Sequence, residues 1–134
     1  MLMKSFEPIY KELEELFIHN LPDYIEKINR NYNDGILIKK FENRTLDEDC
    51  IKKPCFKFSL EDSEYSEKDR IIENSIFKIS LELILPQEIK KKTIFFWRYA
   101  EAIQRILEES ESSYIYKMIK IIESKIIIEI TLCR

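Results

Sequence analysis

The segment that most constrains the fold is "IFKISLELIL", residues 76–85. Apolar residues occupy every second position from Phe77 onward, and polar residues such as Lys78 and Glu82 lie between them. This two-residue period is typical of a β-strand with one buried face and one solvated face. At ~3.4 Å per residue the run would extend about 34 Å, more than most strands, before Pro86 ends it. We therefore expect this strand at the centre of a sheet.

Two helices are predicted before this strand. The apolar residues between Phe6 and Phe17 recur on one helical face. His19 and Asn20 interrupt that pattern, and Pro22 is suited to open a second helix, which the turn sequence "NYNDG" ends.

A third helix is predicted over residues 94–109, with Thr93 as its N-cap. Phe96 belongs to its apolar stripe, whereas Arg98 is expected to face solvent. Trp97 lies away from the centre of the stripe, which places it at a contact surface or against a neighbouring loop.

Shorter strands are predicted at residues 36–41 and 55–60, and a C-terminal hairpin is predicted to turn at Glu123 and Ser124. The charged segments between strands are predicted to be loops: residues 43–53 and 61–69. The predicted order is α-α-β-β-β-α-β-β in a single domain, residues 1–134. This order predicts an α+β fold, with a mostly antiparallel sheet of about four to five strands and helices packed on one face.

Composition excludes several classes of function. The net charge of −3 gives no basic footprint for nucleic acid or an anionic membrane. No run approaches the roughly 18 apolar residues of a membrane span, and the N-terminal sequence lacks the apolar region of a signal peptide. We therefore expect a protein that stays in the cytoplasm where it is made.

Cysteine spacing raises the question of a metal or redox site. Cys50 and Cys55 stand in "EDCIKKPC" and meet the upper Cys-x2-4-Cys spacing of zinc ligands. The second ligand pair is missing, because Cys133 and His19 lie far away in the sequence. An odd number of cysteines in a reducing cytoplasm favours free thiols. We expect three free thiols and no bound metal.

Catalytic and cofactor motifs are also missing from the sequence. His19 has no candidate nucleophile near it in the sequence. The acidic residues Asp47, Glu48 and Asp49 lack the spacing and the glycine of an EF-hand. Gly35, the sole glycine, cannot supply a phosphate-binding loop. We expect no catalytic, cofactor-binding or metal-binding residues, and a protein that is not an enzyme.

The third predicted helix carries charge of the unfavourable sign at both ends. Three lysines stand just before it, here called the lysine cluster: Lys90, Lys91 and Lys92. Three glutamates lie at its end, here called the glutamate cluster: Glu108, Glu109 and Glu111. Helix N-termini favour negative charge and C-termini positive charge. We hypothesise that the lysine cluster of one subunit meets the glutamate cluster of the next, with Trp97 in the same interface, and that this head-to-tail contact closes into a ring.

Element order and four segments resemble bacteriophage tail terminator (tail-completion) proteins. The segments are "LPDYIEKIN", "SIFKISLELILP", "FWRYAEAIQRIL" and "IIESKIIIEITL". The resemblance implies an α+β subunit that assembles into a ring, typically a hexamer, capping the tail tube at the head-tail junction. It further implies tail tube and head-completion proteins as partners, and assembly in the bacterial cytoplasm into a virion tail. DNA would at most pass through the ring lumen, which the acidic charge balance suits.

A second class of function stays open from the sequence. The chain could be a cytoplasmic ligand- or protein-binding module, or an enzyme whose site is built from scattered loop residues. A list of neighbouring genes would separate these classes. Capsid, tube and tape-measure genes would favour the tail protein, and metabolic genes would favour the alternative.

Overall fold

The structure, a computed structural model, describes residues 6–46, 52–68 and 71–133. Its elements follow in the order α1 (Glu7–Tyr32), β1 (Cys55–Lys68), β2 (Ile71–Ile84), α2 (Lys92–Glu109), β3 (Tyr114–Ile122) and β4 (Lys125–Cys133). All neighbouring strands pair antiparallel, in the spatial order β1-β2-β4-β3. The α+β class and the antiparallel sheet are thus confirmed, with four strands and with both helices on one face.

β2 lies at the interior of the sheet, as its length and alternation predict. Phe77, Ile79 and Leu81 are buried against the helices, and they alternate with residues on the opposite face. The strand begins at Ile71, earlier than predicted, and it pairs with β1 on one side and β4 on the other. The predicted loop is wrong over residues 61–68, because the longer β2 offers backbone partners that extend β1 to Lys68. Asp69 lies outside the described residues.

α1 is one continuous helix of 26 residues, so the predicted break at His19 and Asn20 is wrong. Pro22 lies inside the helix, although a proline there removes a hydrogen bond and crowds the preceding turn. The buried stripe continues on both sides of Pro22, with Phe17 and Leu21 before it and further apolar residues after it. Burial of an uninterrupted apolar face outweighs the lost hydrogen bond, since tertiary packing supplies most helical stability.

Residues 36–41 are not the predicted strand and do not join the sheet. Side chains satisfy their backbone groups instead. The Ile38 N–H donates to Asn29 Oδ1 at 2.9 Å, and Asn29 Nδ2 donates to the Ile38 carbonyl at 3.1 Å. The buried Tyr99 hydroxyl donates to the Lys39 carbonyl. The segment thereby covers one side of the core without ladder hydrogen bonds.

Arg98 fastens the end of α1 to α2 and is buried, so the prediction that it faces solvent is wrong. Its guanidinium forms a salt bridge with Asp34 and donates to the Ile36 carbonyl at 2.8 Å. It also lies 4.0 Å from the ring centroid of Tyr32. The planar, permanently charged guanidinium can donate to a carboxylate and a carbonyl and stack on an aromatic ring at the same time, which permits its burial.

Three further details differ from or agree with the sequence predictions. α2 begins at Lys92 with Lys91 as its N-cap, so Thr93 does not cap it. The hairpin turns at Glu123 and Ser124 as predicted.

Cys55 is disulfide-bonded, so the prediction of three free thiols is wrong. Cys50 lies outside the described residues.

The central position of β2 predicts a large cost for truncating its buried side chains. Leu81 is fully buried, and Leu81→Ala should lower the free energy of unfolding by about 2–5 kcal/mol. Leu37, which is 66% exposed, provides a matched control, and Leu37→Ala should change stability by no more than ~0.5 kcal/mol. Urea titration of both variants checks this. Equal losses would contradict the placement of the core.

The Asp34–Arg98 contact predicts a pH dependence of stability. Hydrogen bonds from Arg98 hold the Asp34 pKa at about 2, below its ordinary value of 3.8. The contact therefore stabilises the fold fully above pH 3.8 and loses this effect as pH falls towards 2. Urea midpoints should show Asp34→Asn less stable than wild type at neutral pH, with the difference shrinking below pH 3.8. Asp23→Asn, which removes one negative charge at an exposed position of α1, serves as the control.

Candidate subunit interface

α2 carries unfavourable charge at both ends in the folded protein. No acidic residue stands in its first turn, and no basic residue stands in its last turn. Its N-cap, Lys91, makes no side-chain capping hydrogen bond. At 1.5 Å per residue the helix is about 27 Å long, so the lysine cluster and the glutamate cluster cannot neutralise each other within one chain. Each cluster opposes the helix dipole by roughly 0.3–1 kcal/mol per charge.

All members of both clusters are exposed. The ion pairs found in the described parts of the chain are Lys11–Glu7, Arg98–Asp34 and Arg105–Glu101, and none of them involves either cluster. The fold therefore leaves both sets of charge at the surface.

The glutamate cluster does make local hydrogen bonds. Glu109 accepts one from the Tyr24 hydroxyl of α1, and this bond raises the pKa of Tyr24. Glu108 accepts one from Gln104 at 3.1 Å. Glu109 is thus engaged with α1, whereas Glu108 and Glu111 are better placed to contact another molecule.

Trp97 lies on the surface of α2 with 54% of its area exposed. Its neighbour Phe96 is buried, and the two rings meet edge to face with centroids 6.1 Å apart. A large exposed tryptophan is unusual in a core-facing helix and typical of interface anchors.

A groove runs along α2 and includes Trp97. It consists of three adjoining cavities of about 430, 450 and 270 Å³. Thr93 and Trp97 line both the first and the second cavity, and Gln104 and Met118 line both the second and the third. We call this feature the α2–β3 groove, because β3 forms the other wall of the second and third cavities. The end of β2 and the turn between β3 and β4 form the other wall of the first.

The two charge clusters mark opposite ends of the α2–β3 groove. Lys92 lines the first cavity and Glu108 lines the third. β3 is an edge strand, paired with β4 on one side only, and its ladder shifts register between Met118 and Lys120. A strand edge offers unpaired backbone groups to a partner, although lysines and bulges discourage indiscriminate pairing.

The other residues considered for chemistry do not converge on a site. His19 is an exposed residue of α1. Asp47, Glu48 and Asp49 lie outside the described residues. Within residues 6–46, 52–68 and 71–133, no group of three or more His, Cys, Asp or Glu could hold a metal ion. No helix in those same ranges is long and apolar enough to cross a membrane.

The sequence predicts the charged residues at the two ends of the groove but not the residues that line its walls. Met118 and Ile121 of β3 and Tyr32 at the end of α1 line it beside Trp97. Alternation in β3 could have placed Met118 on the helix-facing side but not Ile121, because only the register shift after Met118 brings Ile121 to that side. No local feature of the sequence predicts that Tyr32 lies beside α2.

Comparison with known proteins gives no family for this chain. A scan against protein-family models finds no match, and a search of curated proteins finds no significant match.

Two adjacent residues of α2 provide a matched test of the exposed surface. Phe96→Ala should cost about 3–5 kcal/mol in the free energy of unfolding, because the ring is buried. Trp97→Ala should cost about 1 kcal/mol or less, since more than half of its area already faces solvent. Urea titration compares them. A loss at Trp97 as large as that at Phe96 would make Trp97 a packing residue rather than a contact residue.

Proposed function

We propose that this protein is a structural subunit of a phage or prophage tail, a tail terminator that forms a ring capping the tail tube. The observation that carries the proposal is the arrangement of α2. Opposite charges stand exposed at its two ends, each with the sign that the helix dipole disfavours, and the α2–β3 groove with Trp97 connects them.

The charges support a contact between different surfaces of neighbouring copies. A lysine cluster that meets the next copy's glutamate cluster gains opposite charge at both helix ends. Because the two surfaces differ, the contact is heterologous, and it closes into a ring when the rotation between copies permits. Rim charges of this kind steer and align subunits more than they hold them, so Trp97 would supply apolar contact area.

The tail-specific part of the proposal rests on the resemblance of element order and segments. It assigns a hexameric ring, contacts with tail tube and head-completion proteins, and a place in the virion tail. The acidic charge balance suits a lumen through which DNA passes without binding.

A second candidate function is a ligand- or protein-binding module that uses the same groove. Two of its cavities, about 430 and 450 Å³, fall in the size range of small-molecule sites and combine apolar walls with polar groups. A ligand bound there would contact Trp97, whose fluorescence would report it.

Charge reversal tests the ring contact. One variant reverses Lys90, Lys91 and Lys92 to Glu, and a second reverses Glu108 and Glu111 to Lys while keeping Glu109 bonded to Tyr24. Light scattering at tens of micromolar should show that each variant loses oligomer and that the combined variant regains it. Because exposed charges are screened, moderate salt should reduce these differences.

A variant with three reversed charges elsewhere controls for net charge: Lys40, Arg44 and Lys52 to Glu, all exposed in the segment before β1. It should assemble like wild type. A monomeric wild type, or a lysine-cluster variant that assembles normally, would rule out this contact and favour the binding module.

A further inference from the structure

The two edges of the sheet are irregular at the same level. β1 and β3 are the edge strands, and in the described parts of the chain neither pairs with a second strand. β1 has a register shift between Leu60 and Asp62, and β3 has one between Met118 and Lys120. Each shift inserts one extra residue into an edge strand relative to its interior neighbour.

The two register shifts make the edge strands match each other. Lys78 and Ser80 mark two levels of the sheet, and they are two residues apart in β2. Between the same two levels β1 advances by three residues, over residues 59–62. β3 also advances by three residues there, over residues 117–120. A regular strand could follow either edge only through a bulge, whereas the two edges can follow each other residue for residue.

We propose that the β3 edge of one copy of this chain pairs with the β1 edge of the next copy. β1 and β3 run in opposite directions in the sheet, so a second copy placed beside the first in the same orientation makes an antiparallel pair. The levels fix the register, with Lys117 opposite Asp62 of the next copy. All nine residues of β3 then lie opposite residues 57–65, before the second register shift of β1, which follows Ser66.

Charge on the face of the sheet turned away from the helices supports this register. At the level of Lys78, four paired positions alternate in sign across the sheet, in the order Asp62, Lys78, Glu129 and Lys117. The proposed pairing puts Asp62 of the next copy after Lys117, so the alternation continues from one copy to the next. Opposite charges on directly paired residues are favourable cross-strand neighbours.

Charge also favours pairing between unlike edges over pairing between like edges. β3 contains two lysines and no acidic residue, whereas residues 57–65 of β1 contain three acidic residues and one lysine. Pairing β3 with β3, or β1 with β1, would bring like charges together, which disfavours both arrangements. The contact is therefore heterologous, with the opposite edge of a second copy as its partner.

Two exposed apolar side chains meet at the centre of the proposed contact. Ile119 of β3 is 39% exposed, and Leu60 of β1 is 45% exposed. The register places them opposite each other, because each lies two residues from the Lys117–Asp62 pair. Their contact would remove apolar area of both copies from water. Large apolar residues on a strand edge favour association, and the matching irregularity restricts that association to one partner.

The contact is expected to be weak by itself. The backbone groups of a free edge already bond to water, so each new hydrogen bond contributes little net stability, and one apolar pair adds only a small area. Association should therefore require concentrations above those that test the ring contact. The inference depends neither on the tail assignment nor on the charge clusters of α2, because different residues carry it.

Two single substitutions test the edge contact: Ile119→Lys and Leu60→Glu. Both are made in the full chain that also carries the reversed lysine cluster, so that the ring contact does not contribute. Each places a charge against an apolar side chain of the next copy. Sedimentation velocity at several hundred micromolar should show that the parent associates and that each variant associates about tenfold or more weakly. Leu37→Lys, at an exposed position outside the sheet, should associate like the parent.

Mixing the two variants gives the decisive result. In an equimolar mixture the introduced lysine meets the introduced glutamate at one contact, and the unchanged residues meet at the next. The mixture should therefore associate like the parent, and so should one chain with both substitutions. Unchanged circular dichroism and urea midpoints show that the variants fold. A monomeric parent, single variants that sediment like the parent, or a mixture that stays monomeric would overturn the proposal. None of these results bears on the ring contact.

Discussion

The structure depends on β2 being apolar on one side only. Phe77, Ile79 and Leu81 form the floor of the core, and strands on both sides of β2 extend that floor through Phe56 and Ile128. A sheet with one apolar face must be covered on that face, and both helices therefore pack there. The opposite face remains without a helix and can carry charge.

Covering the sheet leaves a gap that regular structure does not fill. The segment after α1 closes it as an extended chain held by side chains of the helices: Asn29, Arg98 and Tyr99. These contacts satisfy backbone groups of Ile36, Ile38 and Lys39, and Ile38 is buried. The contact of Arg98 with the Tyr32 ring also places Tyr32 beside α2, where it lines part of the α2–β3 groove.

The α2–β3 groove remains as a surface for a partner. It joins unlike ends of the molecule, which suits a heterologous contact. The proposed ring contact rests on charge placed where the isolated chain gains little from it.

The sequence by itself determined the elements whose periodicity is strong: β2, α2, the terminal hairpin and the charges at the ends of α2. Tertiary structure decided what periodicity cannot report. α1 continues past Pro22 because its apolar face is buried on both sides of the proline. β1 includes a charged segment because β2 pairs with it. Residues 36–41 stay outside the sheet because side chains make hydrogen bonds with their backbone. Arg98 became buried because Asp34, distant in the sequence, reached it. Local patterns record only which face an element can bury, whereas long-range contacts decide where that element ends and what satisfies its polar groups.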